Sequence, residues 1–492
     1  MVQHKFYITT AIPYTNARPH LGHALEFVQA DTVTRYHRIL GDSVVLLSGG
    51  DDNALKNVQA AEQAGVDTQT FVDANAELYR EIAAKLNVEF DVFQRGSDRS
   101  RHYPSSQKLW ELCVKSGDIY KKPYQGLYCV GCEVFYAPEE LDEQGECPEH
   151  PGRKLDRVAE ENYFFRLSKY QRELIDLITS DTLKVIPETR KNEALAFLKQ
   201  PLQDISISRS NQRARNWGIP VPGDDSQRIY VWFDGLNIYQ SGVGFGWDED
   251  RYRTWWPADI HVIGKGILRF HAIYWPAFLL SAGLPLPKSL FVHGYITVDG
   301  QKMSKTVGNV IDPFDVLAKY GIDSVRYYLL RDVPSYGDGD FSYRKFEERY
   351  NGELADGLGN LVARVATLGE KVSPVRFDFA ADILPAVKQE TAEVFKTYEQ
   401  AFAAIRLNEA LGEAWRLVGF ADRYLSETQP WSVSEAELFR KIVLNAGYVV
   451  STIGNLLQPF LPETKERIAE QVSIRDSVLE IKRGEVLFPR LG

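Results

Sequence analysis

The sequence predicts an α/β protein: an open parallel sheet with helices, interrupted by a small metal-binding insert and followed by an all-α region. Three observations carry this reading. Short buried-strand patterns alternate with helical ones over roughly the first 300 residues, as a parallel sheet requires. Two cysteine-bearing turns sit in the middle of that alternation. From about residue 350 onward apolar residues recur at helical spacing, with little strand signal.

Composition bounds the rest. At 492 residues the chain is too long for one core, so two to four domains are expected. Hydrophobic residues make up 44% and charged ones 25%, the balance of a soluble globular protein. No stretch approaches the ~20 apolar residues that span a bilayer. The first strand pattern begins within a few residues of the start, leaving no room for a signal peptide, so a cytoplasmic protein without membrane contact is expected. A net charge of −10 argues against a general nucleic-acid binder, though not against a local basic patch. There is no internal repeat.

The run 5–12 (KFYITTAI) reads as a buried strand, and 24–40 has helical spacing. His20 and His23 therefore fall where a helix begins after a strand. Such a terminus offers backbone N–H groups and a positive dipole end to an anion. Gly22 lets a ligand approach the backbone closely. The run 42–52 is a second strand ending in glycines and acids, which puts Asp51 at a carboxyl end, where ligands of open parallel sheets collect. The competing reading is an acidic turn that merely ends a strand.

Cys113 stands alone in an apolar helical pattern and reads as a buried thiol. Cys129 and Cys132, then Cys147 and His150, form two C-x2-[CH] turns. Two such turns complete a tetrahedron around one structural zinc with no open position. A disulfide is the competing reading, but it leaves His150 unexplained. The insert that carries them spans about 118–200.

The strand pattern resumes near 204–209 and 217–222. The run 230–234 (YVWFD) reads as a buried strand and 235–239 as the start of a helix. Another short buried strand, 260–264, leads into the aromatic helical segment 267–275 (ILRFHAIYW). Aromatic clusters usually belong to a core. Further on, Lys302, Ser304 and Lys305 lie on a polar loop able to close over an anion. In the helical region Asn360 and Arg364 share a face at i and i+4, and Trp431 comes between two helical patterns.

PYTNARPHLGH at 13–23 and KMSKT at 302–306, in this order and one α/β domain apart, resemble the HIGH and KMSKS signatures of class I aminoacyl-tRNA synthetases. The surrounding TVDGQKMSKTVGNVIDP narrows the resemblance to the methionyl-tRNA synthetase family with a single zinc knuckle. The resemblance covers nearly the whole chain. It implies a Rossmann-like catalytic domain in two halves (1–117 and 201–296), the knuckle insert (118–200), a KMSKS and stem-contact segment (297–349) and an α-helical anticodon-binding domain (350–492). It implies ATP-dependent ligation of methionine to tRNA through methionyl-adenylate, with Mg²⁺ and one Zn²⁺, by a monomer.

The residue roles follow from the same resemblance. His20, His23, Lys302 and Lys305 would be catalytic, and with Gly22, Gly264 and Ser304 would hold ATP. Asp51 would receive the substrate ammonium. Ala11, Ile12, Tyr14, Trp232, Gly235, Leu236, Tyr239, Ile267, Phe270, His271 and Trp275 would surround the methionine, whose thioether packs well against aromatic rings. Asn360, Arg364 and Trp431 would read the anticodon by hydrogen bonding and stacking.

The chain departs from the family pattern at several places. The acidic stretch usually ends Asp-Glu-His-Gly, but here reads Asp51-Asp52-Asn53-Ala54. The strand-end Gly-Lys-Asp is Gly264-Lys265-Gly266, so the carboxylate expected on the ATP ribose is missing; Asp234 or Asp52 are the candidates to replace it. Gly235 and Leu236 stand where Ala and then Pro or Leu are usual, and Thr306 replaces the last Ser. Two other functions therefore stand beside the leading one. One is a paralogue that adenylates an amino acid and passes it to a small amine or carrier protein. The other is a catalytically silent tRNA binder, which the retention of both phosphate motifs disfavours.

Overall fold

The computed structural model describes residues 4–136, 140–148, 155–303 and 308–492. The chain forms two compact units: Met1–Pro19, His37–Ala84 and Val88–His293 in the first, and His20–Tyr36, Lys85–Asn87 and Gly294–Gly492 in the second.

The first unit is built on a six-stranded sheet in which every pairing is parallel. Its order is Val92–Arg95, Ser43–Gly50, Lys5–Thr10, Ile260–Gly264, Ser289–His293, Lys184–Ile186. The central strands are buried on both faces, as parallel strands covered by helices must be. Strand order reverses between Lys5–Thr10 and Ile260–Gly264, so the crevice at their carboxyl ends is the ligand position such a sheet offers. The edge strand Lys184–Ile186 comes from the segment read as insert; its pairing to Ser289–Phe291 extends the main sheet. The same segment holds the helices Gln171–Thr179 and Glu188–Leu198 and three strands, Val134–Tyr136, Ile119–Cys129 and Asp156–Phe165, which with Ile205–Ser206 form a four-stranded antiparallel sheet.

One expected element is corrected. The run 230–234 is not a strand: Asp224–Ile229 is the strand, and Val231–Ser241 is a helix buried along its whole length. A helix enclosed on all sides shows no polar face, and its aromatic, β-branched start is then indistinguishable from a strand. The segment 267–275 is helical as expected, but Phe270–Tyr274 is a π-turn leading into the α-helix Trp275–Ala282. Such turns re-aim side chains and recur at functional sites.

The second unit holds the helix start at His20 and a small three-stranded sheet, Gln301–Lys302, Ile296–Val298 and Gly339–Phe341. The helices Asn360–Gly369, Pro385–Ala403, Leu407–Thr428, Ala436–Leu457 and Pro462–Gln471 follow. The helical region also carries a short sheet of Val375–Arg376, Val478–Ile481 and Val472–Arg475. Arg326 is fully buried here. It pairs with Asp31 of helix Leu21–Ile39 at 2.7 Å and donates to the carbonyls of Leu86, Pro459 and Phe460. A buried charge needs such complete pairing to be tolerated.

Candidate active site

At the strand reversal the loops after the first two strands are laced together. Tyr14 and Asp51 form a parallel bridge, and Asp51 N–H donates to the Pro13 carbonyl at 2.8 Å. Ala11 and Ile12 pack against the same core. The two adjacent acids have different fates. The Asp52 carboxylate is saturated: it takes a bidentate Arg95 guanidinium at 2.9 and 3.0 Å, both donors of Ser97, and the Thr15 hydroxyl. Asp51 is 4% exposed, and among the described residues it has no comparable ion pair. Burial first, then the neighbouring Asp234, holds its carboxyl well above the usual carboxylate range, against the opposing pull of Lys56. A side chain poised this way is a natural receptor for an incoming cation.

Lys56 caps this corner. Its Nζ lies 3.0 Å from the Tyr14 ring centroid and donates to the Gly131 carbonyl at 3.1 Å; burial pulls its pKa down to about 8. A Cβ at Gly235 would stand 3.1 Å from Asp51 Oδ2, so the glycine lets the helix pass close beside the carboxylate.

Next to Asp51 lies the aromatic wall. Trp232 stacks on Phe270 (centroids 3.6 Å, planes 4° apart), and Tyr14 meets Trp232 edge-on at 6.1 Å. Tyr239 donates its hydroxyl to His271 Nε2 at 2.7 Å, because His271 Nδ1–H is committed to the Ile267 carbonyl at 2.9 Å. Trp275 contacts the Tyr239 ring edge-on at 6.4 Å, and Leu236 is buried on the same helix as Trp232. Burial pushes the His271 pKa down to about 4, so the imidazole is neutral at pH 7. The Tyr14 hydroxyl and the Trp275 indole N–H are buried without a protein partner. A neutral aromatic lining beside one buried carboxyl fits an amino acid with an apolar, polarizable side chain.

Gly264 ends its strand next to His293, and Gly266 is exposed. Of the two candidates for the missing ribose carboxylate, Asp52 is engaged through both oxygens and Asp234 through one, its Oδ1 being buried without a hydrogen-bond partner among the described residues. Asp52 is saturated, and Asp234, on a helix rather than a strand end, accepts from Asn53 Nδ2 at 2.6 Å with His102 at 3.9 Å.

In the second unit, His20 precedes helix Leu21–Ile39 and His23 lies in its first turn. His20 Nδ1 accepts the Gly22 N–H at 3.1 Å, and His23 Nδ1 accepts the His20 N–H at 3.2 Å. Each neutral ring therefore carries its proton on Nε2, a donor suited to phosphate oxygen. A Cβ at Gly22 would come within 2.9 Å of the His20 ring, so any larger residue there would push that ring out of its present position. Lys302 ends the strand Gln301–Lys302, while Ser304 and Lys305 lie outside the described residues.

Cys129, Cys132 and Cys147 bring their sulfurs within 4.8 Å of one another, and none is in a disulfide. Sulfurs on a tetrahedral zinc stand about 3.8 Å apart, given Zn–S bonds of ~2.3 Å, so three buried or half-buried thiols at this spacing fit the ion. His150, the expected fourth ligand, lies outside the described residues. Cys113 is a buried thiol held near the Phe278 carbonyl, its pKa pushed up to about 12.

Arg364 and Trp431 meet in the helical region: the guanidinium lies 5.8 Å from the ring, which is 57% exposed, and pairs with Asp422 at 3.1 Å. Asn360 is exposed one turn before Arg364.

A class I tRNA synthetase family model, of the type denoted M, matches residues 6–158 and 151–366. A methionine–tRNA ligase of Brucella suis is 39% identical over 484 residues, 96% of this chain and 93% of that protein. One from Thermotoga maritima is 39% identical over 481 residues, 96% of this chain and 76% of that protein. The fold matches a Mycobacterium tuberculosis methionyl-tRNA synthetase in complex with methionyl-adenylate, with a TM-score of 0.93, 36% identity, and 99% and 100% of the two chains covered. The apo form of that enzyme matches at 0.85, with 33% identity and 100% and 99% covered.

Proposed function

Because the chain belongs to the methionyl family of class I tRNA synthetases, we propose that it ligates methionine to tRNA at the expense of ATP, through methionyl-adenylate. The observation that carries this reading is the unsaturated, buried Asp51 carboxyl beside the Tyr14, Trp232 and Phe270 rings. Asp51 receives the methionine ammonium, a charge-assisted contact. The aromatic rings, with Ala11, Ile12, Gly235, Leu236, Tyr239, Ile267, His271 and Trp275, enclose the thioether. One methionine carboxylate oxygen then attacks the α-phosphorus of ATP, and the bond to pyrophosphate breaks. His20 and His23 donate from Nε2 to phosphate oxygens, and Lys302 and Lys305 offset the charge that grows there. Gly22, Gly264 and Ser304 hold the nucleotide. In the second step a tRNA ribose hydroxyl attacks the activated carbonyl and AMP leaves.

Cys129, Cys132, Cys147 and His150 hold zinc, which would supply folding energy rather than chemistry. Mg²⁺ accompanies ATP as phosphate counter-charge. Asn360, Arg364 and Trp431 read the anticodon. Transfer to a non-tRNA acceptor would leave this exposed Arg364–Trp431 pair without a role. The division 1–117, 118–200, 201–296, 297–349 and 350–492 follows these tasks. No helix among the described residues is long and apolar enough to cross a membrane. The reading is of a monomer working in the cytoplasm. The test is a charging assay offering each amino acid with and without tRNA. Esterification of tRNA by methionine alone is expected; adenylation of another amino acid, or methionine transfer without tRNA, would overturn the reading.

A further inference from the structure

A second concave site lies in the first unit, apart from the methionine lining. It is a cleft of ≈ 440 Å³ whose walls include Arg99, Tyr103, Gln107, Asn216, Trp217 and Arg228. No acidic side chain lines it, unusual in a chain of net charge −10. Arg228 Nη1 meets only the backbone carbonyls of Asp225 and Gln227, and its Nε is buried without a partner. Among the described residues, neither Arg99 nor Arg228 is recorded in an ion pair with a carboxylate. The half-buried Tyr103 hydroxyl, whose pKa is raised by burial and then by the Asp234 carboxylate, also feels Asp52 and both guanidiniums, so Arg99 and Arg228 lie near one aromatic ring. Two arginines without a contact ion pair among the described residues, Arg228 feeling the Asp225 carboxylate only at longer range, are flanked by Tyr and Trp rings and make a site for a phosphodiester with an unstacked base.

The position of the cleft selects the nucleic acid. Trp217 Nε1 donates to the Asp52 carbonyl at 2.7 Å, and a Cβ at Gly218 would stand 3.9 Å from the Asn53 carbonyl. The cleft therefore shares the wall Asp51–Asn53 with the methionine ammonium site. An RNA single strand held there ends beside the place where the aminoacyl group is made.

From this juxtaposition we infer that the Arg99–Tyr103–Trp217–Arg228 cleft binds the 3′-terminal single strand of tRNA, with the arginines on its phosphodiesters and the rings on a base. The inference rests on the proposed tRNA-charging function. The test compares wild type with Arg99→Gln, Arg228→Gln and Arg228→Lys, using full tRNA and tRNA trimmed of its 3′ single strand. Both glutamine variants should raise the apparent Kd for full tRNA about tenfold, on the scale of one lost nucleotide contact. They should also flatten the log Kd against log salt slope by about 0.7 each. Arg228→Lys should keep the slope, which a purely structural role would not predict. For trimmed tRNA the variants and wild type should bind alike. Equal weakening toward full and trimmed tRNA, or an unchanged salt slope, overturns the cleft assignment. Methionine-dependent pyrophosphate exchange is run in parallel. Its absence in wild type overturns the charging function itself, whereas normal exchange with unaltered tRNA binding in the variants overturns only the cleft.

Discussion

Trp232 donates its indole N–H to the backbone carbonyl of Cys132 across 3.1 Å, so one wall of the proposed methionine lining hangs from the cysteine loop. The same loop accepts Lys56 Nζ at Gly131, Lys56 N–H at the Glu133 side chain and the Tyr230 hydroxyl at the Glu133 carbonyl. A metal at Cys129, Cys132 and Cys147, as proposed, would thereby bear on the Trp232–Phe270 stack.

The first prediction follows from that link. Chelating the metal should weaken methionine binding, read by calorimetry without ATP, by more than it weakens binding of an ATP analogue. Trp232→Phe keeps the ring and removes the N–H, so its methionine affinity should respond less to chelation. Equal losses for both ligands would reduce the metal to a general folding role.

Asp51 leads to the second prediction. Its folded pKa is raised, so the ionised form is disfavoured by the fold, and the penalty is fully present above that raised value. Asp51→Asn should raise Tm at pH 8 while raising the methionine KM about ten- to a hundredfold, the scale of a lost charge-assisted contact. A lower Tm with an unaltered KM would make Asp51 a structural acid.

His271 gives a pH dependence. Its folded pKa, about 4, lies below the ordinary 6.5, because burial disfavours the imidazolium. The neutral ring therefore contributes stability that is fully present above pH 6.5 and is lost as pH falls toward 4, about 3 kcal/mol in all. His261, buried at Thr9 Oγ1, is shifted in the same direction and adds to the loss. Urea unfolding at pH 7, 5.5 and 4.5 should show the decline, and His271→Gln should flatten it. An identical slope in the variant would contradict the assignment.

Much of this was legible in the sequence for definite reasons. The strands at 5–10, 43–50 and 260–264 are short runs rich in β-forming residues and buried over most of their length, and the cysteine spacing pointed to one metal. Helix Val231–Ser241 was misread because complete burial erases periodicity. Lys56 and the Asp52–Arg95 pair were missed because they act across 43 or more residues of sequence or over a ring face, which no local pattern encodes. The distinction between Asp51 and Asp52 likewise emerges only when their partners are placed. The edge strand Lys184–Ile186 is three residues long, too short for alternation to register.

The fourth prediction concerns Trp431, proposed to read the anticodon without taking part in adenylation. Trp431→Ala should remove one base stack, about 1–3 kcal/mol, and lower tRNA charging accordingly. Because the ring is exposed and Arg364 stays tied to Asp422, fold stability and pyrophosphate exchange should be nearly unchanged. An equal fall in charging and exchange would instead make Trp431 part of the core.

The last prediction turns on Gly266. The sequence lacks the carboxylate that would hold the ATP ribose, and the structure engages both substitutes elsewhere: Asp52 with Arg95, Ser97 and Thr15, Asp234 with Asn53. Only Asp234 Oδ1 is left without a partner among the described residues, and it is buried on the helix Val231–Ser241, so neither residue presents an exposed carboxylate to a ribose. Gly266 is exposed, so a longer side chain can be carried there without displacing the core. Gly266→Asp should lower the KM for ATP by about tenfold or more, since one charge-assisted hydrogen bond to a hydroxyl is worth about 1.5–3 kcal/mol. kcat should change little, because the ribose contact is the same in ground and transition states. A raised KM would mean that another group already occupies the ribose position. An unchanged KM would mean that position 266 does not approach the ribose, and the correspondence of the Gly264–Gly266 turn with the family motif would fail.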